Sequence, residues 1–223
     1  MITVKKDAIK VKTSEGMQSA GVLCKVGTFG TNWLELVDSI SFCKNTYNTN
    51  SLPEIVDIDL PCLRTSTQLF WGNSDSTPRV IKLGLNSEVI YQASRWFEYC
   101  RKLEFLEFKG GVKLSVINSL FNQCGKLKEV RGAIDLSTSW QANAPFAGCT
   151  LLEEIRFVEN SIPISIPFNP CGLLSDASVQ SIIDGLMDLT GQTAQTITFH
   201  ADVKAKLTDE QIATITSKNW TIP

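Results

Sequence analysis

Apolar residues recur along this chain at fixed intervals rather than in long runs. From about residue 40 onward, a phenylalanine is followed three residues later by cysteine or asparagine. The pairs are Phe42–Asn45, Phe70–Asn73, Phe97–Cys100, Phe121–Cys124, Phe146–Cys149 and Phe168–Cys171, and the six phenylalanines are separated by 28, 27, 24, 25 and 22 residues. Three consecutive copies, FEYCRKLEFLEF, FNQCGKLKEVRG and FAGCTLLEEIRF, share F-x-x-C-x-x-L-x-x-[LVI]. The two copies before them are looser. FCKNTYNTNSLPEIVDI reaches its L-x-x-I at Ile55 after four extra residues, and FWGNSDSTPRVIKL has Thr77 in place of leucine and recovers at Val80. The sixth, FNPCGLLSD, keeps Leu174 and then turns helical in pattern.

A unit of this length cannot bury its own apolar side, so neighbours must stack and share a core. The expected fold class is therefore an α/β solenoid in which each repeated apolar position forms a ladder. The L-x-x-[LVI]-x-[FI] stretch predicts a short strand with alternate residues inward, pairing side by side with its counterparts. Cysteine or asparagine three residues after phenylalanine suits a tight buried corner, since Asn bonds turn backbone and Cys is small with a weak S–H donor. Phe97, Cys100, Phe121, Cys124, Phe146, Cys149, Phe168 and Cys171 are accordingly expected to form a structural ladder. A redox or metal ladder would need partners that the sequence does not show.

Three parts are expected along the chain: residues 1–40, a β-hairpin that caps the amino end or docks onto an assembly partner; residues 41–174, the repeats; and residues 175–223, capping repeats. In the first part apolar residues alternate at Ile2/Val4, Ile9/Val11 and Val22/Cys24/Val26, with TSEG as a turn. In the last, Ser175 is expected to cap a helix carrying Val179, Ile182, Ile183, Leu186 and Leu189, stopped by Gly191. A strand QTITFH follows, then a helix with Thr208 and Gln211 in capping-box spacing and Ile212 and Ile215 inward, then a last strand at WTIP. The 23 residues from Phe199 to Ile222 set the expected period of these last coils.

Composition narrows the chemistry. The net charge of −2 with scattered Lys and Arg supplies no footprint for nucleic acid, and no apolar run approaches the roughly 20 residues of a membrane span. The start, MITVKKDAIK, lacks the apolar core of a secretory signal. The expected location is a virion or an extracellular surface, with a cytoplasmic stage before assembly or release. Seven cysteines without a CxxC pair favour neither a zinc site nor a complete disulfide framework, and Cys24, Cys43 and Cys62 fall outside the ladder without an assigned role. The single histidine, His200, reads as a strand-end residue, which leaves Ser–His or Cys–His catalysis little to draw on. Glu153 and Glu154 are adjacent, and on a strand they would point to opposite faces, poor geometry for paired acid–base work. No enzyme activity, cofactor or metal is expected.

The F-x-x-C-x-x-L-x-x-I pattern, clearest from residue 96 to 174, resembles the BspA-like leucine-rich repeats, carried here by Phe97, Cys100, Leu103, Leu106, Phe121, Cys124, Leu127, Val130, Phe146, Cys149, Leu152 and Ile155. That resemblance implies a right-handed leucine-rich-repeat coil. The run from Leu174 to Ile222 looks like the carboxyl-terminal segment of leucine-rich proteins in phages and prophages of gut Firmicutes, often linked with tail or surface-recognition components. Together they imply a non-enzymatic recognition or adhesion module for a protein or surface glycan, tail-associated in a phage or prophage. The alternative is a bacterial cell-surface adhesin or host-interaction protein.

Outward side chains of such a coil offer two candidate surfaces. The variable strand positions read as Glu54 and Val56, Arg79 and Ile81, Glu107, Glu129 and Arg131, and Glu154 and Arg156. Stacking would set Arg131 beside Arg156 and Glu129 beside Glu154, which makes Glu107, Glu129, Arg131, Glu154 and Arg156 either a recognition strip or a solvated charged face. Trp71 in FWGNSDSTP and Trp140 in STSWQANAP sit among turn formers, where they serve either as ligand anchors or as buried packing.

Overall fold

The computed structural model describes residues 10–13, 16–19, 39–41, 54–61, 63–64, 68–72 and 78–223. The pairs at Ile2/Val4 and Val22/Cys24/Val26, the Phe42–Asn45 copy, and Ile9, Cys43, Cys62, Asn73 and Thr77 lie outside them. Near the amino end, β1 (Lys10–Thr13) pairs antiparallel with β2 (Gly16–Ser19), and with β3 (Ser39–Ser41) on its other side. This sheet therefore extends past residue 40, one residue into the range assigned to the repeats.

Among the described residues from 55 onward, every strand pairing is parallel. One sheet runs β4 (Ile55–Leu60), β5 (Val80–Leu85), β7 (Phe105–Lys109) and β9 (Glu129–Arg131), with a bridge from Glu129 on to Glu154. A second joins β6 (Ile90–Gln92), β8 (Val112–Val116) and β10 (Ile134–Asp135), and bridges from Ile134 to Phe157. Strict alternation aims the strands of the first sheet: Val56, Ile81, Leu106 and Val130 share one inward row and are buried.

The F-x-x-C segments form a third line of contact. Phe97 N–H donates to the Leu120 carbonyl, and Phe121 N–H to that of Pro145. The rings of Phe70, Phe97, Phe121, Phe146 and Phe168 are buried in one stack, with successive centroids 5.7, 5.4, 5.7 and 4.7 Å apart. Phe199 continues it at 6.4 Å. Such offset ring pairs contribute about 0.5–1.5 kcal/mol each beyond burial. Each cysteine N–H closes the turn onto its own phenylalanine carbonyl, and the thiols cross to the neighbouring segment. Cys100 Sγ donates to Phe70 O at 3.3 Å, Cys124 Sγ to Phe97 O at 3.0 Å, and Cys149 Sγ to Phe121 O at 3.1 Å.

The carboxyl end closes the stack with side chains in place of a strand. Helix α1 (Asp176–Gly185), N-capped by Ser175, lies where the next strand of the first sheet would pair. Its Ser178 hydroxyl accepts the Ile155 N–H at 3.0 Å, and its Ser181 hydroxyl accepts the Phe157 N–H at 3.0 Å. The helix is shorter than the apolar stripe predicts. It ends at Gly185, where Leu186 turns extended to pair with Ile162; a Cβ at Gly185 would sit 3.1 Å from Phe157 Cβ and Ile162 Cδ1, so the helix end packs closely there. Gly191 belongs to a later turn, and Leu189 is buried from outside the helix.

A third parallel sheet, β11 (Ile166–Phe168), β12 (Gln195–Phe199) and β13 (Trp220–Thr221), follows. It pairs Gln195 with Trp220 and Thr196 with Thr221, so the register is offset by two from the expected Phe199-to-Ile222 period. His200, expected at a strand end, lies one residue beyond β12 and caps the short α2 (Ala201–Lys204), its Nδ1 accepting from the Asp202 N–H. Helix α3 (Asp209–Ser217) opens with the Thr208–Gln211 capping box. It touches the stack along a narrow line through Ile215. Ile212, about 60° around the axis, is 41% exposed rather than inward.

Two outcomes test this packing. Gly132 has φ +84°, and a Cβ there would lie 2.1 Å from the Phe108 carbonyl oxygen, whereas Gly110, φ +77°, faces open space. Gly132→Ala is expected to lower unfolding stability by roughly 2–4 kcal/mol and Gly110→Ala by about 1 kcal/mol, measured by urea denaturation.

Burial pushes the Cys171 thiol up to about 12 and holds Cys124 and Cys149 well above the ordinary range. In the unfolded chain thiols ionise from about pH 8.5. The folded protein is then expected to lose stability as pH rises above that value, through about 12 for Cys171. Alkylation of the native protein mapped by mass spectrometry should leave Cys124, Cys149 and Cys171 unmodified, and unfolding should expose them.

Candidate functional site

The outward residues of the first sheet are exposed on β4 and half-buried on β5 and β7. The outward residues of β4 are Ile55, Asp57 and Asp59, those of β5 Val80, Lys82 and Gly84, and those of β7 Phe105, Glu107 and Lys109. In the first two copies this reverses the sequence expectation. Val56 and Ile81 are buried, and Ile55 and Val80 face out. The loops between phenylalanine and strand run one residue longer than the alignment on Ile55 and Val80 assumes, and a shift of one residue turns a strand over.

Parallel register then sets the charges in alternation. Asp57, Lys82, Glu107 and Arg131 lie side by side on successive strands, with Lys82 Nζ 3.8 Å from Glu107 Oε2. Gly84 lies between Asp59 and Lys109 in the next row. A Cβ at Gly84 would fall 2.1 Å from Asp59 Oδ1, so its absence lets the carboxylate reach over β5 to Lys109 Nζ at 2.8 Å. Asp57 meets the same ammonium at 2.5 Å. Partial burial alone would lower the Lys109 pKa; the two aspartates outweigh it and raise it.

At the mouth of the strands Arg79 spans three segments. Its Nε and Nη2 each donate to Glu104 at 3.0 Å, and Nη1 donates to Glu54 at 2.7 Å. The hydrogen bond from Arg79 holds the Glu104 carboxyl below the usual range, with Lys128 and Lys126 adding to it.

Of the expected strip, Glu129 does bridge to Glu154 across the segments. Each of these like-charged neighbours is relieved on its own segment. Arg131 Nε lies 2.6 Å from Glu129 Oε1, and Arg156 Nη2 lies 3.5 Å from Glu154 Oε2. Arg131 also stacks over the Phe105 ring at 4.9 Å. Glu154 and Arg156 turn toward the cap: Ser178 Oγ donates to Glu154, and Arg156 Nη1 donates to the Ala177 carbonyl at 2.6 Å. Glu107, Glu129 and Arg131 thus remain on the open face, joined by an apolar row that the charge pattern does not announce. Ile55, Val80 and Phe105 lie side by side, Ile55 55% exposed and the others half-buried.

The two loop tryptophans separate. Trp71 is half-buried, and its indole N–H donates to Glu98 Oε2 at 2.9 Å. Glu98 is itself buried, and its other oxygen accepts from Asn122 Nδ2 at 2.8 Å, so Trp71 serves packing between segments. Trp140 is exposed. Among the described residues no three His, Cys, Asp or Glu side chains gather in a metal-binding cluster, and no helix is long and apolar enough to cross a membrane.

Replacing Arg79 with methionine removes both guanidinium contacts. The Glu104 carboxyl is then expected to titrate at a higher pH than in the unchanged protein, read by carbon-detected NMR. No protein-family model matches the chain, and no match is found among curated proteins or solved structures.

Proposed function

We propose that the chain is a non-enzymatic recognition module of leucine-rich-repeat type, a solenoid that presents its outward sheet face to a protein or glycan on a cell surface. The observation that carries this reading is the combination on that face: an apolar row, Ile55–Val80–Phe105, bordered by charges already paired within the protein. Exposed apolar area bordered by polar groups supplies binding energy, and pre-paired charges hold the surface in one shape without large rearrangement on docking. Extended faces built from stacked strands are the usual binding surface of repeat proteins. Within this proposal the chain acts as a tail-associated component of a phage or prophage, following the resemblance of its carboxyl-terminal run.

Two measurements test it. Mass spectrometry of purified particles after induction should detect the protein; its confinement to host cytosol would remove the tail assignment. Binding of the purified protein to host cells should fall about tenfold or more in a Phe105→Asp, Arg131→Glu double variant, with far-ultraviolet circular dichroism unchanged. Equal binding by the folded variant and the parent protein would count against the sheet face.

A further inference from the structure

A second surface stands apart from the sheet face. Trp140 is 65% exposed, whereas Trp71 is half-buried and Trp96 and Trp220 are buried. Leaving so large a ring in water forgoes about 2 kcal/mol or more of burial. The backbone beneath it is nonetheless held on both sides. Trp140 N–H donates to Ser115 O at 3.1 Å, Ser139 Oγ to the same carbonyl at 3.2 Å, and Ile117 N–H to Gln141 O at 3.0 Å. The ring is therefore displayed from a fixed strut, which limits the ordering cost of binding to side-chain rotation.

The stretch of chain that carries it narrows what such a ring can receive. Residues 136–152 contain no Asp, Glu, Lys, Arg or His, in a chain that is 20% charged. The exposed side chains beside the tryptophan in sequence are hydroxyls and amides: Ser137, Thr138, Gln141 and Asn143. An anionic polymer needs cations to replace its counterions, and this stretch offers none. A protein partner ordinarily packs further apolar side chains around an aromatic anchor, and between residues 136 and 150 Trp140 is the one large apolar side chain that is exposed. A pyranose ring has a face of C–H groups that desolvates well against indole, and a rim of hydroxyls that neutral amides and alcohols can both donate to and accept from.

We propose that Trp140 is the stacking platform of a binding site for a neutral pyranose sugar, with Gln141, Asn143, Ser137 and Thr138 supplying its hydrogen bonds. This rests on the recognition reading and narrows it, assigning the glycan to the Trp140 corner rather than to the sheet face.

The full chain labelled with fluorotryptophan provides the test, with the Trp140 resonance identified through Trp140→Phe. Methyl glycosides of glucose, galactose, mannose and N-acetylglucosamine are titrated in turn, and the protein is applied to an array of neutral and sialylated glycans. At least one glycoside should shift the Trp140 resonance while the buried tryptophans stay put. Array binding should favour neutral glycans, persist at high salt, and fall about tenfold or more in Trp140→Ala, the loss expected from removing one stacking contact. No shift with any of the four, or array binding unchanged in Trp140→Ala, overturns the sugar site. Cell binding that survives Trp140→Ala but not the Phe105→Asp, Arg131→Glu variant would overturn this site and leave the recognition reading standing. The opposite pattern would support this site and remove the sheet face. Cell binding that survives in both variants removes both surfaces, and loss in both supports both.

Discussion

One carbonyl shared between two segments underlies the rest of the molecule. The Phe97 oxygen accepts the N–H of Cys100 in its own turn and the thiol of Cys124 from the next segment, and Phe121 oxygen does the same with Cys124 and Cys149. A carbonyl has two lone pairs, and a turn this tight satisfies only one. Leaving a buried acceptor partly unmet costs about 1–3 kcal/mol in general. The thiol reaches the second lone pair, is compact, and tolerates a dry site. Because each such bond joins fixed positions in two segments, it sets where one segment lies on the next, and the phenylalanine rings stack in consequence.

Registration of the turns propagates to the strands. Once Leu106 lies beside Ile81 and Val130, every outward residue has a defined lateral neighbour, and the charges alternate across β4, β5, β7 and β9. Gly84 adds a longer reach: without a side chain there, one aspartate and one lysine meet over an intervening strand. The face is consequently stiff in its electrostatics and apolar along one row. That pairing suits a surface that must hold its shape before a partner arrives.

The ends follow a different logic. A parallel sheet that stops leaves N–H groups facing outward, and burying them unmet is costly. Ser178 and Ser181 supply hydroxyl oxygens at the spacing of the strand they replace, so a helix can close the edge. Lys218 performs the matching task for the last turn of α1, with Nζ on the carbonyls of Ile183, Asp184 and Leu186. These contacts also draw Arg156 and Glu154 away from the open face and into the cap.

By itself the sequence determined which residues share a ladder. Phe97, Phe121 and Phe146 with their cysteines recur at near-constant spacing, and equal spacing in a stacked chain means equal environment. The helix caps at Ser175 and Thr208 were also legible, because capping depends on residues three apart. Only the tertiary structure decided which side Ile55 and Val80 face, since the loops before them vary in length and one residue inverts a strand. It also decided that Trp71 packs while Trp140 stands in water, and that α1 stops at Gly185. Those outcomes depend on what lies across the gap between segments: Glu98 for Trp71, and Ile162, which pairs with Leu186, for the end of α1. Spacing along a chain carries no information about such neighbours until the segments are stacked.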